Sequence, residues 1–142
     1  MEEKRPVGRP LKFQSVEELE KKIDEYFETT GWKTKEVYDK KKQEVVTVPY
    51  YEPATITGMA VFLDTSRETI SDYREKPEYA DAIKKAKDKC EYSIEYGALT
   101  NNLNPAMAIF SAKNNYGWSD KTEIDHTSKG ESIGVIILPP KQ

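Results

Sequence analysis

The sequence predicts a mainly α-helical protein with a small β-hairpin insertion, and three observations support this fold class. Apolar residues recur at helical spacing in several separate segments, and a run of valines near two prolines favours a hairpin after the first helix. The length of 142 residues suits one domain of ordinary size with tails. No apolar run approaches the roughly 18 residues of a membrane span, and the residues after Met1 lack the apolar region of a secretory signal, so we expect a cytosolic protein.

Charge is spread unevenly along the chain, although the formal net charge is only −3. Residues 1–12 are expected to form a flexible basic arm, because proline and glycine interrupt any regular structure there. Arg5, Arg9 and Lys12 are predicted DNA contacts, since a thin extended arm bearing arginine fits a narrow, negative minor groove. The alternative is a solvated tail without a binding role.

The first helix and the hairpin follow the arm. Ser15 and Glu18 have the spacing of a capping box, and Gly31 is expected to end the helix that they begin. Residues 33–50 are predicted to form the hairpin, because valines flank a polar run there. The apolar stripe of the first helix comprises Leu19, Ile23, Tyr26 and Phe27.

Residues 56–74 have the pattern of a helix-turn-helix. The small residue Ala60 allows two helices to cross closely, and Asp64 stands where the turn usually has glycine. Ser66 is the expected N-cap of the second helix. Four apolar residues are expected to face the interior: Met59, Leu63, Ile70 and Tyr73.

The second helix of such a motif presents its first turns to the major groove of DNA. Glu68 and Asp72 fit this role poorly, because carboxylates repel phosphate. The alternative for this segment is a trihelical core unit without a DNA role, and the alternative for the lysine cluster at 84–89 is a solvated helix face. The predicted DNA contacts of the two segments are Ser66, Arg67, Thr69, Ser71, Arg74, Lys84 and Lys85.

A long helix is predicted from Glu78 to about Leu103, with Pro77 either stopping the previous helix or opening this one. Small and apolar residues recur along it at alternating spacings of four and three, so this stripe could form internal core or a subunit seam. We assign the stripe to the seam; it comprises Tyr79, Ile83, Ala86, Cys90, Ser93 and Gly97. A cysteine on such a stripe is expected to be buried and inert. A further helix is expected from Asn104-Pro105 to Tyr116-Gly117.

The usual signatures of catalysis are missing from the sequence. There is no phosphate-binding loop, no dinucleotide-binding glycine pattern and no set of histidine and cysteine ligands. His126, the one histidine, stands in a polar segment. We therefore expect no catalytic residue, no metal and no cofactor, and a small nuclease is the enzymatic alternative.

The order of these features resembles the bacteriophage terminase small subunits, the DNA-packaging initiators of tailed phages. Gly8-Arg9-Pro10, the segment Pro53–Asp64 and, most specifically, the run Ala108–Lys121 carry the resemblance. It implies a protein of the host bacterial cytoplasm that is not an enzyme, binds the packaging site on double-stranded viral DNA, forms a homo-oligomeric ring and recruits the large terminase subunit. The alternative is a phage or prophage helix-turn-helix transcription regulator, which is typically a dimer.

The resemblance also implies a division of labour along the chain. Residues 1–12 are expected to form the arm, 13–76 the DNA-binding domain, 77–118 the oligomerisation region and 119–142 a flexible tail with a C-terminal strand. The tail residues expected to contact the large subunit are Ile133, Val135, Ile136, Ile137 and Leu138.

Overall fold

The computed structural model describes residues 12–121. Arg5 and Arg9 of the predicted arm, and the predicted C-terminal strand from Ile133 to Leu138, lie outside the described residues. The elements in chain order are α1 (Val16–Glu28), β1 (Gly31–Asp39), β2 (Glu44–Glu52), α2 (Ile56–Phe62), α3 (Arg67–Arg74), α4 (Pro77–Leu99) and α5 (Pro105–Asn115). The prediction of a mainly helical fold with one small hairpin is confirmed.

Local sequence signals set the starts of the helices. Ser15 Oγ accepts a hydrogen bond of 3.1 Å from the Glu18 amide, and the Glu18 carboxylate accepts one of 2.9 Å from the Gln14 amide. These two bonds satisfy backbone donors that have no partner inside a helix. Ser66 caps α3 in the same way, at 3.1 Å from the Thr69 amide. Pro77 is the first-turn proline of α4, which decides between the two roles left open for it.

The core lies where α1, α2 and α3 pack around the first half of α4. Phe13, in the segment before α1, is hydrogen-bonded to two tyrosines of the core. The Tyr73 hydroxyl accepts a hydrogen bond of 2.9 Å from the Phe13 amide, and the Tyr79 hydroxyl donates one of 3.1 Å to the Phe13 carbonyl. The interior positions expected for the two short helices are confirmed, because Met59, Leu63, Ile70 and Tyr73 are all buried. Ala60, the small residue of the helix crossing, is buried as well.

The stripe of small and apolar residues on α4 is internal core in this structure. Exposure is at most 7% at Tyr79, Ile83, Ala86, Cys90 and Ser93, and Gly97 is also buried. We therefore correct its assignment to a subunit seam, because contacts within the chain fill the stripe. Small side chains serve close packing inside the domain, and the Cys90 thiol is fully buried, which raises its pKa to about 12.

The long helix ends earlier than the sequence suggests. It stops at Leu99 rather than near Leu103, because Asn101 adopts a left-handed conformation with φ of 57°. The amides of Asn102 and Leu103 then bond to the Gly97 carbonyl at 2.9 and 3.1 Å. Asparagine tolerates this conformation better than most residues, so the polar run after Leu99 closes the helix.

The hairpin spans residues 31–52, so at its open end each strand is two residues longer than the predicted range of 33–50, and Gly31 pairs with Glu52 there. At its tip, Asp39 pairs with Glu44. Gly31 begins β1, with a φ of 91°, instead of ending α1, whose last residue is Glu28. The hairpin is attached to the helices at its open end, where the Tyr51 hydroxyl lies 2.9 Å from Ser93 Oγ.

Across residues 12–121, no helix combines the length and apolar character needed to cross a membrane.

Candidate nucleic-acid interface

The turn between α2 and α3 is a tight one that Asp64 makes possible. Asp64 has a φ of 52°, which confirms the left-handed conformation expected at this position, and its amide bonds to the Val61 carbonyl at 3.0 Å. The Lys12 ammonium group donates to the Asp64 carbonyl and lies 3.8 Å from its carboxylate. The start of the described chain therefore sits beside this turn.

The exposed surface of α3 has two sides of opposite charge. Arg67, Ser71 and Arg74 follow a spacing of four and three, which places them on one side of the helix. The exposed acids have the same spacing one residue later, so they form a second side, which comprises Glu68, Asp72 and Glu75. Glu68 and Asp72, the two acids that fit a DNA-contacting role poorly, therefore lie on a different side of α3 from the arginines.

The arginine side of α3 faces a cleft that α4 and α5 complete. Arg67, Ser71 and Arg74 line it together with Lys87 of α4. A second cleft is continuous with it at Arg74 and Lys87, and Lys84 lines this second part. We call the combined feature the basic cleft, defined by Arg67, Ser71, Arg74, Lys84 and Lys87. Asp88 and Glu91 also line its second part, and Asn114 and Asn115 of α5 line the first.

Hydrogen bonds from the end of α5 and from the segment after it fix the position of α5 beside the cleft. Arg67 Nη2 donates to Asn115 Oδ1 at 2.7 Å, which joins α3 to α5. Trp118 Nε1, in the segment after α5, donates to Glu91 Oε1 at 2.7 Å, which joins that segment to α4 and gives one of the acids near the cleft a hydrogen-bond partner. Tyr116 packs against the core, and burial raises the pKa of its hydroxyl.

Comparison with known families matches residues 8–124 to the model described as DNA-packaging protein gp3. The chain belongs to this family of phage DNA-packaging proteins. A search of curated proteins gives no match. The family match includes all of the described residues, hence the whole basic cleft and the hairpin. Arg5 and the residues from Ile133 to Leu138 fall outside it.

The gp3-family fold brings together only part of the predicted DNA-contacting set. Arg67, Ser71, Arg74 and Lys84 meet in the basic cleft. Ser66 and Thr69 instead stabilise the start of α3, since their hydroxyls lie 3.1 Å apart and Ser66 also caps the Thr69 amide.

The lysine cluster of α4 is divided between two sides of the helix. Lys85 bonds to Asp81 at 3.0 Å, which raises the pKa of Lys85, and it lines a different cleft beside α1. Lys89 lies 3.6 Å from Asp24 of α1 and 5.1 Å from the centre of the Phe27 ring. Lys84 and Lys87 face the basic cleft instead, so only two of the four lysines extend the positive surface of α3.

Three polar residues of the cleft that could contact phosphate were not among the predicted DNA contacts: Lys87, Asn114 and Asn115. Lys87 was detectable, because it lies three residues after Lys84 and therefore on the same side of α4. The two asparagines carried no local signal, since their relation to α3 depends on how α5 packs. Among residues 12–121, no three His, Cys, Asp or Glu side chains are grouped in a way that could hold a metal ion.

Proposed function

We propose that this phage DNA-packaging protein is a terminase small subunit that grips duplex viral DNA with its basic cleft. The observation that carries the proposal is the convergence of Arg67, Arg74, Lys84 and Lys87 on one surface of a chain whose net charge is −3. Phosphate contacts from such a patch supply most of the affinity of a DNA-binding protein. The overall negative charge therefore does not oppose the function, because binding depends on the local field.

In this proposal, α2 and α3 act as a helix-turn-helix that docks with the arginine side of α3 toward DNA. The acids Glu68, Asp72 and Glu75 lie on the other exposed side of α3, where they avoid the phosphates. Arg67 is exposed at the first turn of α3, the part of a recognition helix that meets base edges. Its bond to Asn115 limits the orientations of the guanidinium group before DNA arrives, which lowers the entropy lost on binding.

The position of Lys12 supports a role for the arm in the same complex. Lys12 contacts the turn between α2 and α3, so the described chain begins next to the proposed recognition helix. Arg5 and Arg9 would then reach a groove adjacent to the one that α3 enters. Extended arms that carry arginine bind the narrow minor groove in this manner.

The remaining parts of the proposal are assembly and recruitment. We propose that the protein forms a homo-oligomeric ring and recruits the large terminase subunit, with Ile133, Val135, Ile136, Ile137 and Leu138 as the contact. An apolar extended segment can add a strand to the edge of a partner's sheet. In this role the protein is an adaptor and not an enzyme, so the ATPase and nuclease activities belong to its partner.

Two double variants of one helix test the DNA surface. Lys84→Gln with Lys87→Gln removes two charges from the basic cleft, and Lys85→Gln with Lys89→Gln removes two from the side that faces α1. Fluorescence anisotropy with labelled duplex DNA should show binding weakened by about tenfold or more in the first pair and by less than about threefold in the second. Equal losses in both pairs would contradict the assignment of the cleft.

A further inference from the structure

The tip of the hairpin, defined here as residues 37–46, is exposed although it carries large apolar side chains. Tyr38 is 58% exposed and its cross-strand partner Val45 is 61% exposed, while Val37 is 41% exposed and pairs with Val46. A two-stranded hairpin is marginally stable in water unless something packs against it. The loop between the strands adds a positive charge cluster, formed by Lys40, Lys41 and Lys42.

The loop lysines are free of ion pairs, and the nearby acid has a structural task. Within the described residues, none of Lys40, Lys41 and Lys42 takes part in a salt bridge. Asp39 accepts hydrogen bonds from the amides of Lys41 and Lys42 at 2.8 and 3.2 Å, so its carboxylate stabilises the loop. The tip therefore offers an apolar pair next to three lysines that outnumber Asp39 and Glu44, so residues 37–46 carry a net charge of +1.

A surface of complementary character lies on the second half of α4. Asp88, Tyr92, Glu95 and Leu99 are all exposed and follow the spacing of one helix side, with Tyr92 exposed by 66% and Leu99 by 78%. Asp88 also lines the second part of the basic cleft beside Lys84 and Lys87, so this side of α4 adjoins that cleft. We call this side the acidic face of α4. Residues 90–99 include two acids and no base. In the part of the chain that the structure describes, neither Asp88 nor Glu95 forms a salt bridge.

Aromatic side chains extend the acidic face toward the base of the hairpin. The ring centroids of Tyr92 and Tyr96 lie 6.0 Å apart, those of Tyr96 and Tyr51 lie 5.5 Å apart, and those of Tyr51 and Trp32 lie 5.6 Å apart. Trp32 is 54% exposed at the end of this row. Exposed apolar surface of this extent, bordered by charge, is typical of protein interaction sites.

The tip lies at the opposite end of the hairpin from its attachment to α4. The open end of the hairpin is fixed beside α4 by Tyr51, whose hydroxyl contacts Ser93. Eight residues of extended strand separate Gly31 at that end from Asp39 at the tip, which corresponds to about 26 Å. Because Tyr38 and Val45 stay more than half exposed at the far end of the paired strands, the apolar groups of the tip are available to another molecule.

We propose that the hairpin tip of one copy docks on the acidic face of α4 in a second copy, with the loop lysines opposite Asp88 and Glu95. This inference rests on the ring assembly of the proposed function, and it names the two surfaces through which neighbouring copies would contact each other. Two different patches of one chain then meet, so the contact is head-to-tail, and repeated copies close into a ring when the rotation permits. The exposed side of α5 is a weaker acceptor for the lysines, because Pro105–Asn115 contains no acid.

A charge exchange tests the docking. Lys40→Glu, Lys41→Glu and Lys42→Glu together should raise the dissociation constant of self-association at least tenfold, and so should Asp88→Lys with Glu95→Lys. Combining both sets in one chain restores opposite charges and should recover most of the assembly. Lys21→Glu with Lys22→Glu on the exposed side of α1 is the control and should assemble like the wild type. Sedimentation velocity gives the dissociation constants, and circular dichroism verifies that each variant is folded.

The outcomes separate this inference from the DNA proposal. Wild-type assembly in the folded tip variants, or no recovery in the combined variant, would overturn the docking and leave DNA binding through the cleft intact. A wild-type protein that is monomeric at all concentrations would overturn both the docking and the ring. Lys84→Gln with Lys87→Gln should lose DNA affinity and still assemble, and failure of that pair to lose affinity would count against the cleft alone.

Discussion

Replacing Ser93 with alanine tests the finding that the small-residue stripe of α4 is internal core. Ser93 is 7% exposed, and its hydroxyl accepts a hydrogen bond of 2.8 Å from the Ala54 amide, which is itself buried. The same hydroxyl lies 2.9 Å from the Tyr51 hydroxyl. Ser93→Ala therefore leaves the Ala54 N–H without this acceptor, whereas Tyr51 keeps the Ser93 carbonyl at 3.2 Å.

The expected magnitude follows from the burial of the orphaned donor. A buried N–H that loses its partner costs about 1–3 kcal/mol, so we expect the free energy of unfolding to fall by that amount. Tyr51→Phe is the matched comparison, because it removes the other partner and keeps the bond between Ser93 and Ala54. Its cost should be smaller, at about 0.5–1.5 kcal/mol.

Urea denaturation at one fixed protein concentration measures both variants, with circular dichroism for the helices and tryptophan fluorescence for the hairpin base, where Trp32 packs on Tyr51. If Ser93→Ala changes unfolding by less than about 0.5 kcal/mol and weakens self-association instead, the residue lies in a subunit interface and our placement of the stripe fails.

Three further predictions concern the packing around α4. Gly97→Ala should lower the free energy of unfolding by about 1–3 kcal/mol in urea titrations, because its Cβ would overlap the Leu103 side chain. Wild-type stability would refute this close approach. Burial raises the pKa of the Cys90 thiol from 9.0 to about 12, so between these pH values the folded state keeps a proton that the unfolded state loses. The free energy of unfolding should therefore decline as the pH rises from 9.0 toward about 12, by up to about 1.4 kcal/mol per pH unit. Cys90→Ala should make the decline shallower in unfolding curves at successive pH values, and an unchanged slope would argue against the burial. Trp118→Phe removes the 2.7 Å bond to Glu91 and should speed amide hydrogen exchange in α5, whereas unaltered exchange would show that the bond does not hold that helix.

Features that depend on a few neighbouring residues were predictable from the sequence. The caps at Ser15 and Ser66 and the left-handed Asp64 all follow from local chemistry, and the structure has each of them. The interior positions of α2 and α3 also followed from helical spacing. The helical fold with one hairpin is therefore largely a consequence of short-range signals.

Features that depend on distant neighbours were not predictable in the same way. A stripe of small residues packs equally well inside a domain or between subunits, and only the positions of the other helices show that α4 is covered within the chain. The lysines at 84–89 divide because α1 supplies Asp24 to Lys89, across a large sequence separation. The bond from Arg67 to Asn115 likewise joins residues 48 positions apart.

The salt dependence of DNA binding tests the central claim most directly, because each phosphate contact contributes about 0.9 to the slope of log affinity against log salt concentration. We predict that Lys84→Gln with Lys87→Gln lowers the magnitude of this slope by about 1.8 for each subunit that contacts the duplex. Lys85→Gln with Lys89→Gln should leave the slope at the wild-type value. A slope that is unchanged in the first pair, or reduced equally in both, would show that DNA does not bind in the basic cleft.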